Sequence, residues 1–266
     1  MPIRLEKRGA VAVLTIDNGR LNLLTPALHK EMLGHLQEFL ADPALRVGVL
    51  TGAPGSSFCA GDNIKLDLPK LPRQEQLARQ LDPAVRAAGP LARPGFEQDV
   101  VRLERLKPII GAVDGYCLGQ GMIYLLLLTD IRVATPGASF GLPEIAYGMG
   151  GAGGLTRLGR QVPHVAAMWL MLTGERIDAA KALHWNLINE IVPPEALLAR
   201  AMAIAERVAA HPPLALRVEM EAYQRCMDSP REQAIAQAAA LFRLQMLGGA
   251  TEGVVPEFLK KGKGEG

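Results

Sequence analysis

The segment spanning residues 108–157 constrains the fold of this chain more than any other part of the sequence. It contains an apolar run at 109–113, a glycine-rich turn and a second apolar run at 122–128. This order predicts a buried strand, a tight turn and a buried helix. A strand at 130–134 and a loop that carries Glu144 follow. Such an arrangement aims backbone N–H groups at one point and places a carboxylate beside it.

The composition predicts a globular, cytoplasmic protein. Hydrophobic residues make up 49% and charged residues 21% of the 266 residues, and the formal net charge is +2, which gives no reason to expect nucleic acid or a membrane as a partner. The three cysteines form no CxxC pair, which excludes a disulfide framework and suits a reducing compartment. No apolar run is long enough to span a bilayer, and the charged N-terminal residues do not resemble a signal peptide.

The first part of the chain predicts a parallel sheet. Residues 11–16 and 47–52 have the composition of strands. Between them, Thr25-Pro26 has the character of a helix N-cap, and apolar residues follow it at helical spacing. Strand, helix and strand in this order form a βαβ unit, whose two strands pair in parallel.

Two further parts of the chain, residues 66–98 and the residues beyond 195, differ in composition from the predicted α/β region. Residues 66–98 are rich in proline, arginine and glutamine, with a helix predicted over 73–88. Their composition suits a mobile lid or an irregular side wall better than a core. Beyond residue 195 the pattern is almost entirely helical. We therefore predict an α/β core over residues 1–194 and a helical subdomain over 195–266.

Several kinds of site are excluded by the residues present. None of the four serines lies in a GxSxG elbow. No His, Asp or Glu cluster has metal-ligand spacing, so we predict no metal, and we interpret all five histidines as isolated surface or core residues. Residues 148–153 fit the string GxGxxG, but no strand precedes them as a dinucleotide-binding fingerprint requires.

Two glycine turns and one acid remain. Ala60-Gly61-Asp62 and Gly119-Gln120-Gly121 place small residues where a strand ends and a helix begins, and N–H groups are unpaired at such points. Two converging N–H donors make an oxyanion hole, which stabilises an enolate that develops on a thioester carbonyl. Glu144, fixed by the preceding Pro143, can then move a proton at the neighbouring carbon. The alternative is an ordinary exposed loop glutamate.

Several motifs together resemble one family over almost the whole chain. They are Phe58-Cys59-Ala60-Gly61-x-x-Ile64, Lys107-Pro108-Ile109-Ile110-Gly111-Ala112-Val113-Asp114-Gly115, Gly119-x-Gly121, Asp130-Ile131-Arg132-Val133-Ala134, Phe140-Gly141-x-Pro143-Glu144, Ala152-Gly153-Gly154-Leu155-x-Arg157-Leu158 and Leu172-Thr173-Gly174-Glu175-Arg176-Ile177-Asp178-Ala179. The sequence that carries them resembles the crotonase superfamily, the enoyl-CoA hydratase/isomerase family.

The resemblance implies an α/β fold, a crotonase-like spiral of ββα units with a C-terminal helical region that packs between subunits of a homotrimer or a dimer of trimers. It implies an acyl-CoA substrate and no cofactor beyond the CoA moiety. The oxyanion-hole N–H groups would belong to Asp62 and to Gln120 or Gly121, and Glu144 would match the second of the two glutamates that hydratases use. The substrate-binding residues would be Ala60, Ile64, Lys65, Ile123, Pro143 and Gly151.

The departures from the family pattern bear on the reaction. Hydratases carry their other glutamate on the buried helix, where this chain has Ile123 or Tyr124, depending on the register. One acid suffices to shift a double bond, because the same carboxylate removes and returns the proton, so isomerisation is favoured over hydration. Tyr124 is a candidate phenolic acid, or else a large side chain in the pocket floor. Two alternatives stay open: a crotonase-type hydrolase that cleaves a C–C bond in a diketone and needs no CoA, and a catalytically silent CoA-binding subunit, which the missing glutamate motivates.

Charged residues near the turns raise two further expectations. The Asp62 carboxylate would oppose an enolate in the oxyanion hole, so we expect this side chain to face solvent. Lys65, Arg79, Arg86 and Lys260 are candidate partners for the CoA phosphates, against the alternative of solvated surface charges.

Overall fold

The computed structural model describes residues 2–249 of the chain. In this part of the chain the strands are β1 (Ile3–Arg8), β2 (Val11–Ile16), β3 (Val47–Gly52), β4 (Ile109–Val113), β5 (Tyr116–Leu118), β6 (Ile131–Ala134), β7 (Ser139–Gly141), β8 (Ile177–Asp178) and β9 (Glu190–Ile191). The α-helices are α1 (Pro26–Ala41), α2 (Arg73–Leu81), α3 (Pro83–Ala88), α4 (Glu97–Val101), α5 (Gln120–Leu128), α6 (Ala152–Leu155), α7 (His164–Thr173), α8 (Ala179–His184), α9 (Leu197–Ala209), α10 (Pro213–Cys226) and α11 (Arg231–Leu247). Short 3-10 helices lie at Pro143–Tyr147, Leu158–Arg160 and Pro194–Ala196.

The larger sheet has the strand order β1-β2-β3-β4-β6-β9 and is parallel from β2 to β9. The parallel pairing of β2 with β3, which α1 connects, confirms the predicted βαβ unit. β1 was not predicted. It pairs antiparallel with β2 through a turn at Gly9. β1 forms one edge of the sheet, and after the buried Ile3 it is mostly exposed.

The smaller sheet consists of β5, β7 and β8. β5 and β7 run parallel, whereas β8 is antiparallel to β7. The other edge of β5 is paired with an irregular segment around Cys59, which forms a parallel bridge with Cys117. This sheet therefore joins parts of the chain that are distant in sequence.

The helix α5 lies in the core because it is apolar on every side. Seven of its nine residues are buried, which confirms the predicted buried helix. Its N-terminal turn packs directly against the backbone around Cys59. A Cβ atom at Gly121 would lie 2.3 Å from the carbonyl oxygen of Cys59, so only glycine permits this approach.

The helix α1 begins where the sequence predicts. Thr25 is its N-cap, and the Thr25 hydroxyl accepts a hydrogen bond from the Leu28 N–H. Pro26 occupies the first turn, where its missing N–H costs nothing. The buried face of the helix is formed by Pro26, Leu28, His29, Met32, Leu36 and Phe39.

Residues 66–98 differ from the prediction in two ways. The single helix expected over 73–88 is two helices, α2 and α3, because Pro83 cannot continue the hydrogen-bonding pattern. Asp82 ends the first helix and caps the second, and its carboxylate accepts from the Ala84 N–H at 2.8 Å. The segment is also more than an exposed lid, since the side chains of Arg79 and Arg86 are fully buried.

The chain divides into two compact units, with the boundary between Glu206 and Arg207 inside α9. The first unit holds both sheets. The second, within the described residues, holds α10 and α11, which pack against each other. The predicted helix break near residues 211–213 separates α9 from α10, and the predicted break near 228–230 separates α10 from α11. None of the helices in residues 2–249 combines the length and the apolar character that crossing a bilayer requires.

Candidate active site

Backbone hydrogen bonds bring the two glycine turns to the same edge of the smaller sheet. The Cys59 N–H donates to the Tyr116 carbonyl and the Leu118 N–H donates to the Cys59 carbonyl, each at 2.9 Å. On the other side of β5, the Gly119 N–H donates to the Gly141 carbonyl at 3.0 Å. Three extended segments thus run side by side and in parallel. The residues that follow them emerge together, as expected at the carboxyl edge of a parallel sheet.

The turn at Gly119 presents free N–H groups at the start of α5. Gly119 has φ 54, a left-handed conformation that suits glycine, and no side chain caps the helix. The N–H groups of Gln120 and Gly121 have no acceptor within the helix, because the first turn of any α-helix lacks one. This turn matches the second half of the predicted oxyanion hole.

The other turn presents the Asp62 N–H. The backbone groups on either side of it form hydrogen bonds: the Gly61 carbonyl accepts from the Leu24 N–H, and the Asn63 N–H donates to the Leu24 carbonyl. The Asp62 N–H has no acceptor among residues 2–249. A Cβ atom at Gly61 would lie 3.6 Å from the Gln120 nitrogen, so the two turns are in contact. The structure therefore brings the predicted pair of donors together.

The Glu144 carboxylate lies against the Gly119 turn. A Cβ atom at Gly119 would lie 3.0 Å from Glu144 Oε1. Glu144 Oε2 is buried without a hydrogen-bond partner in the described part of the chain. Burial raises the pKa of Glu144, and the negative charge of Asp62 acts in the same direction. A carboxylate with a raised pKa and a free oxygen is suited to take up and return a proton.

A cavity of about 190 Å³ opens beside Glu144. It is lined by Leu142, Glu144, Ile145, Met149, Gly150, Gly151, Ala152, Gly153, Gly154, Met171 and Leu172. Glu144 is the one ionisable side chain in this lining, which is otherwise apolar. A side chain at Gly150, Gly151 or Gly154 would meet no atom within 4 Å, so the glycine cluster leaves the cavity open.

The other predicted substrate-binding residues lie in different environments. Pro143 begins the 3-10 helix that carries Glu144. Ala60 is half-buried beside the first turn, and Ile123 is buried on α5. Ile64 and Lys65 are exposed beyond Asp62, and neither lines the cavity. Their contacts with substrate stay predictions.

The expectation that the Asp62 side chain faces solvent was wrong. Asp62 Oδ1 lies 3.0 Å from Nε2 of His29, and Asp62 Oδ2 lies 3.2 Å from the Arg93 guanidinium. The other ring nitrogen of His29, Nδ1, lies 2.6 Å from the Tyr124 hydroxyl. His29 and Tyr124 are each 1% exposed. The carboxylate turns inward because a buried imidazole and a guanidinium there satisfy it.

Sequence reasoning missed His29, although a signal was present. The Thr25-Pro26 cap fixes the phase of α1, and His29 then lies three residues before Met32 and seven before Leu36 on the buried face. A buried imidazole needs a hydrogen-bond partner. Its partners could not be read from the sequence, because they lie 33 and 95 residues away.

Both arginines proposed to bind the CoA phosphates are structural. Arg86 forms a two-pronged ion pair with Asp99, and Arg79 donates to the backbone carbonyls of Ala92 and Pro94. Because both guanidinium groups are buried and engaged, neither is available to a phosphate. Lys65 remains exposed. Lys260 lies outside the described residues.

Within the described residues, no group of three or more His, Cys, Asp or Glu side chains is arranged to hold a metal ion. The site instead consists of backbone donors, one carboxylate and an apolar cavity. Such a site is suited to a substrate with a carbonyl group that can accept the two N–H groups.

Comparison with known proteins identifies the family. The sequence model of the enoyl-CoA hydratase/isomerase family matches residues 6–263. The chain is 33% identical to (E)-benzylidenesuccinyl-CoA hydratase of Thauera aromatica, with 88% of this chain and 87% of that protein covered. It is 35% identical to the short-chain-enoyl-CoA hydratase of Clostridium acetobutylicum, over 87% of this chain and 84% of that protein. The structure superimposes on an enoyl-CoA hydratase subunit I of Geobacillus kaustophilus with a TM-score of 0.83 and 30% identity, over 98% of this chain and 96% of that one. The predicted crotonase fold is confirmed, and the chain belongs to the enoyl-CoA hydratase/isomerase family.

Proposed function

We propose that this chain isomerises 3-enoyl-CoA thioesters to 2-enoyl-CoA thioesters, with Glu144 as the only proton carrier. The observation that carries the proposal is the Glu144 carboxylate, which has a free oxygen and lies against the Gly119 turn. The positions where hydratases resembling this chain carry their other acid hold Ile123 and Tyr124. A single acid fits a reaction that removes a proton and returns the same proton elsewhere.

The proposed reaction has two proton transfers. Glu144 removes a proton from C2 of the thioester, and the electrons of that C–H bond form a dienolate whose charge rests on the carbonyl oxygen. The N–H groups of Asp62 and Gln120 donate to this oxygen. The protonated Glu144 then delivers its proton to C4, and the double bond moves from C3–C4 to C2–C3. No water is added and no redox change occurs.

Typical rate contributions support the roles proposed for the oxyanion hole and for Glu144. An oxyanion-hole donor contributes about 2.7–4 kcal/mol to transition-state stability in enzymes where one has been removed. General acid–base catalysis contributes about 10²- to 10⁴-fold in rate. The raised pKa of Glu144 brings its proton affinity closer to that of the carbon acid it must deprotonate.

The test compares wild type with Glu144→Gln, which removes the charge and keeps the size. Each protein is given a 3-enoyl-CoA in D2O, and both the conjugated product and the deuterium content are measured. We expect wild type to form the 2-enoyl-CoA and Glu144→Gln to lose about 10²-fold or more of the rate. Glu175→Gln is the control, because Glu175 is an exposed acid that does not line the cavity. Full activity in Glu144→Gln, or no turnover of any enoyl-CoA by wild type, would refute the proposal.

Hydration is the second candidate, because the relatives reported above are named hydratases. It needs a second group to activate or orient water. Offering a 2-enoyl-CoA separates the two reactions, since a hydratase forms the 3-hydroxyacyl-CoA and gains the mass of one water. An isomerase leaves the 2-enoyl-CoA without that gain.

A further inference from the structure

Four side chains, of which His29 and Tyr124 are buried and the other two are partly exposed, form a polar network beside the two glycine turns. Arg93 lies 3.2 Å from Asp62 Oδ2, Asp62 Oδ1 lies 3.0 Å from His29 Nε2, and His29 Nδ1 lies 2.6 Å from the Tyr124 hydroxyl. The rings of His29 and Tyr124 meet edge to face, with their centroids 5.7 Å apart. The network thus passes through Asp62, one of the two residues whose N–H groups form the candidate oxyanion hole.

The direction of the hydrogen bonds follows from the carboxylate. An ionised carboxylate only accepts, so Nε2 of His29 must carry the hydrogen that it donates to Asp62. In the neutral imidazole, Nδ1 is then the acceptor, and the Tyr124 hydroxyl donates to it. The hydroxyl oxygen of Tyr124 keeps a lone pair that is free to accept another donor.

Gln120, the second residue of the hole, lies one helical turn before Tyr124 on α5. Its side-chain nitrogen Nε2 is buried and has no hydrogen-bond partner within residues 2–249. Burial raises the pKa of Tyr124 well above its ordinary value and the charge of Asp62 adds to this, whereas the Gln120 amide acts in the opposite direction. Tyr124 thus contacts His29 and belongs to the helix whose first residue is Gln120.

We propose that His29 and Tyr124 are positioning residues, which connect the side chain of Asp62 to α5 and thereby hold the backbone N–H groups of Asp62 and Gln120 aimed at one oxygen. Asp62 and Gln120 belong to separate segments, and each follows a glycine with a left-handed backbone. Such turns need an external constraint to hold their orientation. The inference rests on the proposed function, in which these two N–H groups stabilise an enolate.

The same contacts explain why a carboxylate is tolerated beside the hole. A negative charge that faced the substrate oxygen would oppose an enolate. His29 and Arg93 turn the Asp62 carboxylate away, and the guanidinium compensates its charge. Tyr124 touches His29 rather than the cavity lining, so its role in this proposal is indirect.

The variants Tyr124→Phe and His29→Gln test the proposal in the full-length chain. Tyr124→Phe removes only a hydroxyl group. His35→Gln is the matched control, because His35 lies on the same helix and its ring bonds a backbone group outside the site, the Ile3 carbonyl at 3.1 Å. Deleting one oxyanion-hole donor costs about 10²- to 10³-fold in kcat, so a misaligned donor should cost about 10- to 100-fold. KM should change little, because the hole acts on the transition state.

A spectroscopic readout separates positioning from a general structural role. Butyryl-CoA labelled with ¹³C at the thioester carbonyl is the probe, and its C=O stretching frequency is measured when it is bound. We expect the protein to lower this frequency in wild type and in His35→Gln, and to lower it less in Tyr124→Phe and His29→Gln, each measured at a temperature at which the variant is fully folded. An unchanged frequency in both variants, with or without a loss of stability, would overturn the proposal.

The two proposals fail in distinguishable ways. If isomerisation does not depend on Glu144 but the carbonyl frequency responds to His29 and Tyr124, the proposed reaction is wrong and the positioning role stands. If Glu144 is essential and both network variants match His35→Gln in kcat and in carbonyl frequency, the reaction stands and the positioning role is wrong.

Discussion

Asn22 holds the segment that carries Asp62, and its replacement by alanine gives a stability prediction that can be worked out from contacts. The side chain is fully buried. Its Nδ2 donates to the carbonyls of Ile16 at 2.9 Å and Ser57 at 2.6 Å, and its Oδ1 accepts from the Asn18 N–H at 2.7 Å. These bonds join the end of β2 to the segment that leads into the first glycine turn.

The magnitude follows from three lost bonds and one backbone penalty. Each buried hydrogen bond contributes about 1 kcal/mol, so the three together contribute about 3 kcal/mol. Asn22 has φ 48, and alanine in this left-handed region costs about 1 kcal/mol more. We therefore expect Asn22→Ala to lower the free energy of unfolding by about 4 kcal/mol, which for a domain of this size corresponds to a Tm lower by about 8–16 °C.

Urea unfolding and a thermal scan measure this loss. Asn186→Ala is the matched control, because Asn186 has the same left-handed backbone at φ 61 but is exposed. It should lose only the backbone penalty of about 1 kcal/mol. If Asn22→Ala is no less stable than Asn186→Ala, the three buried bonds do not contribute as the reasoning requires.

Three further predictions concern charge. Burial raises the pKa of Glu144, and the proposed reaction needs the ionised carboxylate. We therefore expect kcat/KM to rise with pH through an apparent pKa above that of an ordinary glutamate and then to level off. A pH–rate profile without this rise would contradict the assignment of Glu144 as the base. The cavity lining carries Glu144 and no cationic side chain. We therefore expect an acyl-CoA with a terminal carboxylate to show a kcat/KM about tenfold or more below that of its uncharged analogue of equal length. Equal values of kcat/KM would disprove this preference. Arg86→Met should lower the free energy of unfolding by about 3 kcal/mol, because it leaves Asp99 without its partner. In urea titrations, the additional change Asp99→Leu should restore part of that loss. An equal or larger loss in the double variant would contradict the pairing of Arg86 with Asp99.

The sequence predicted those features that depend on local periodicity or on glycine. The helix α1, the buried helix α5 and the parallel pairing of β2 with β3 follow from spacing and order along the chain. The two glycine turns and Glu144 were found for the same reason, since tight turns at strand ends require small residues. These features made both the fold and the candidate oxyanion hole recognisable.

The features that were missed depend on residues far apart in the sequence. The strands β5, β7 and β8 have two or three residues each, and only their pairing with one another defines them. Arg79 and Arg86 have the character of surface charges until their buried partners are known. The inward turn of Asp62 depends on His29 from another element. Short strands and buried polar partners are tertiary properties, and no local pattern encodes them.

The two glycine turns have a consequence for how this scaffold diverges. Their free donors are peptide groups, which a codon change leaves in place unless it introduces proline, the one residue without an N–H. The acids beside them are side chains, and any point mutation can exchange them. A lineage can therefore replace its proton carriers while the amides of the two turns persist. New chemistry on this fold needs only new side chains around an inherited backbone.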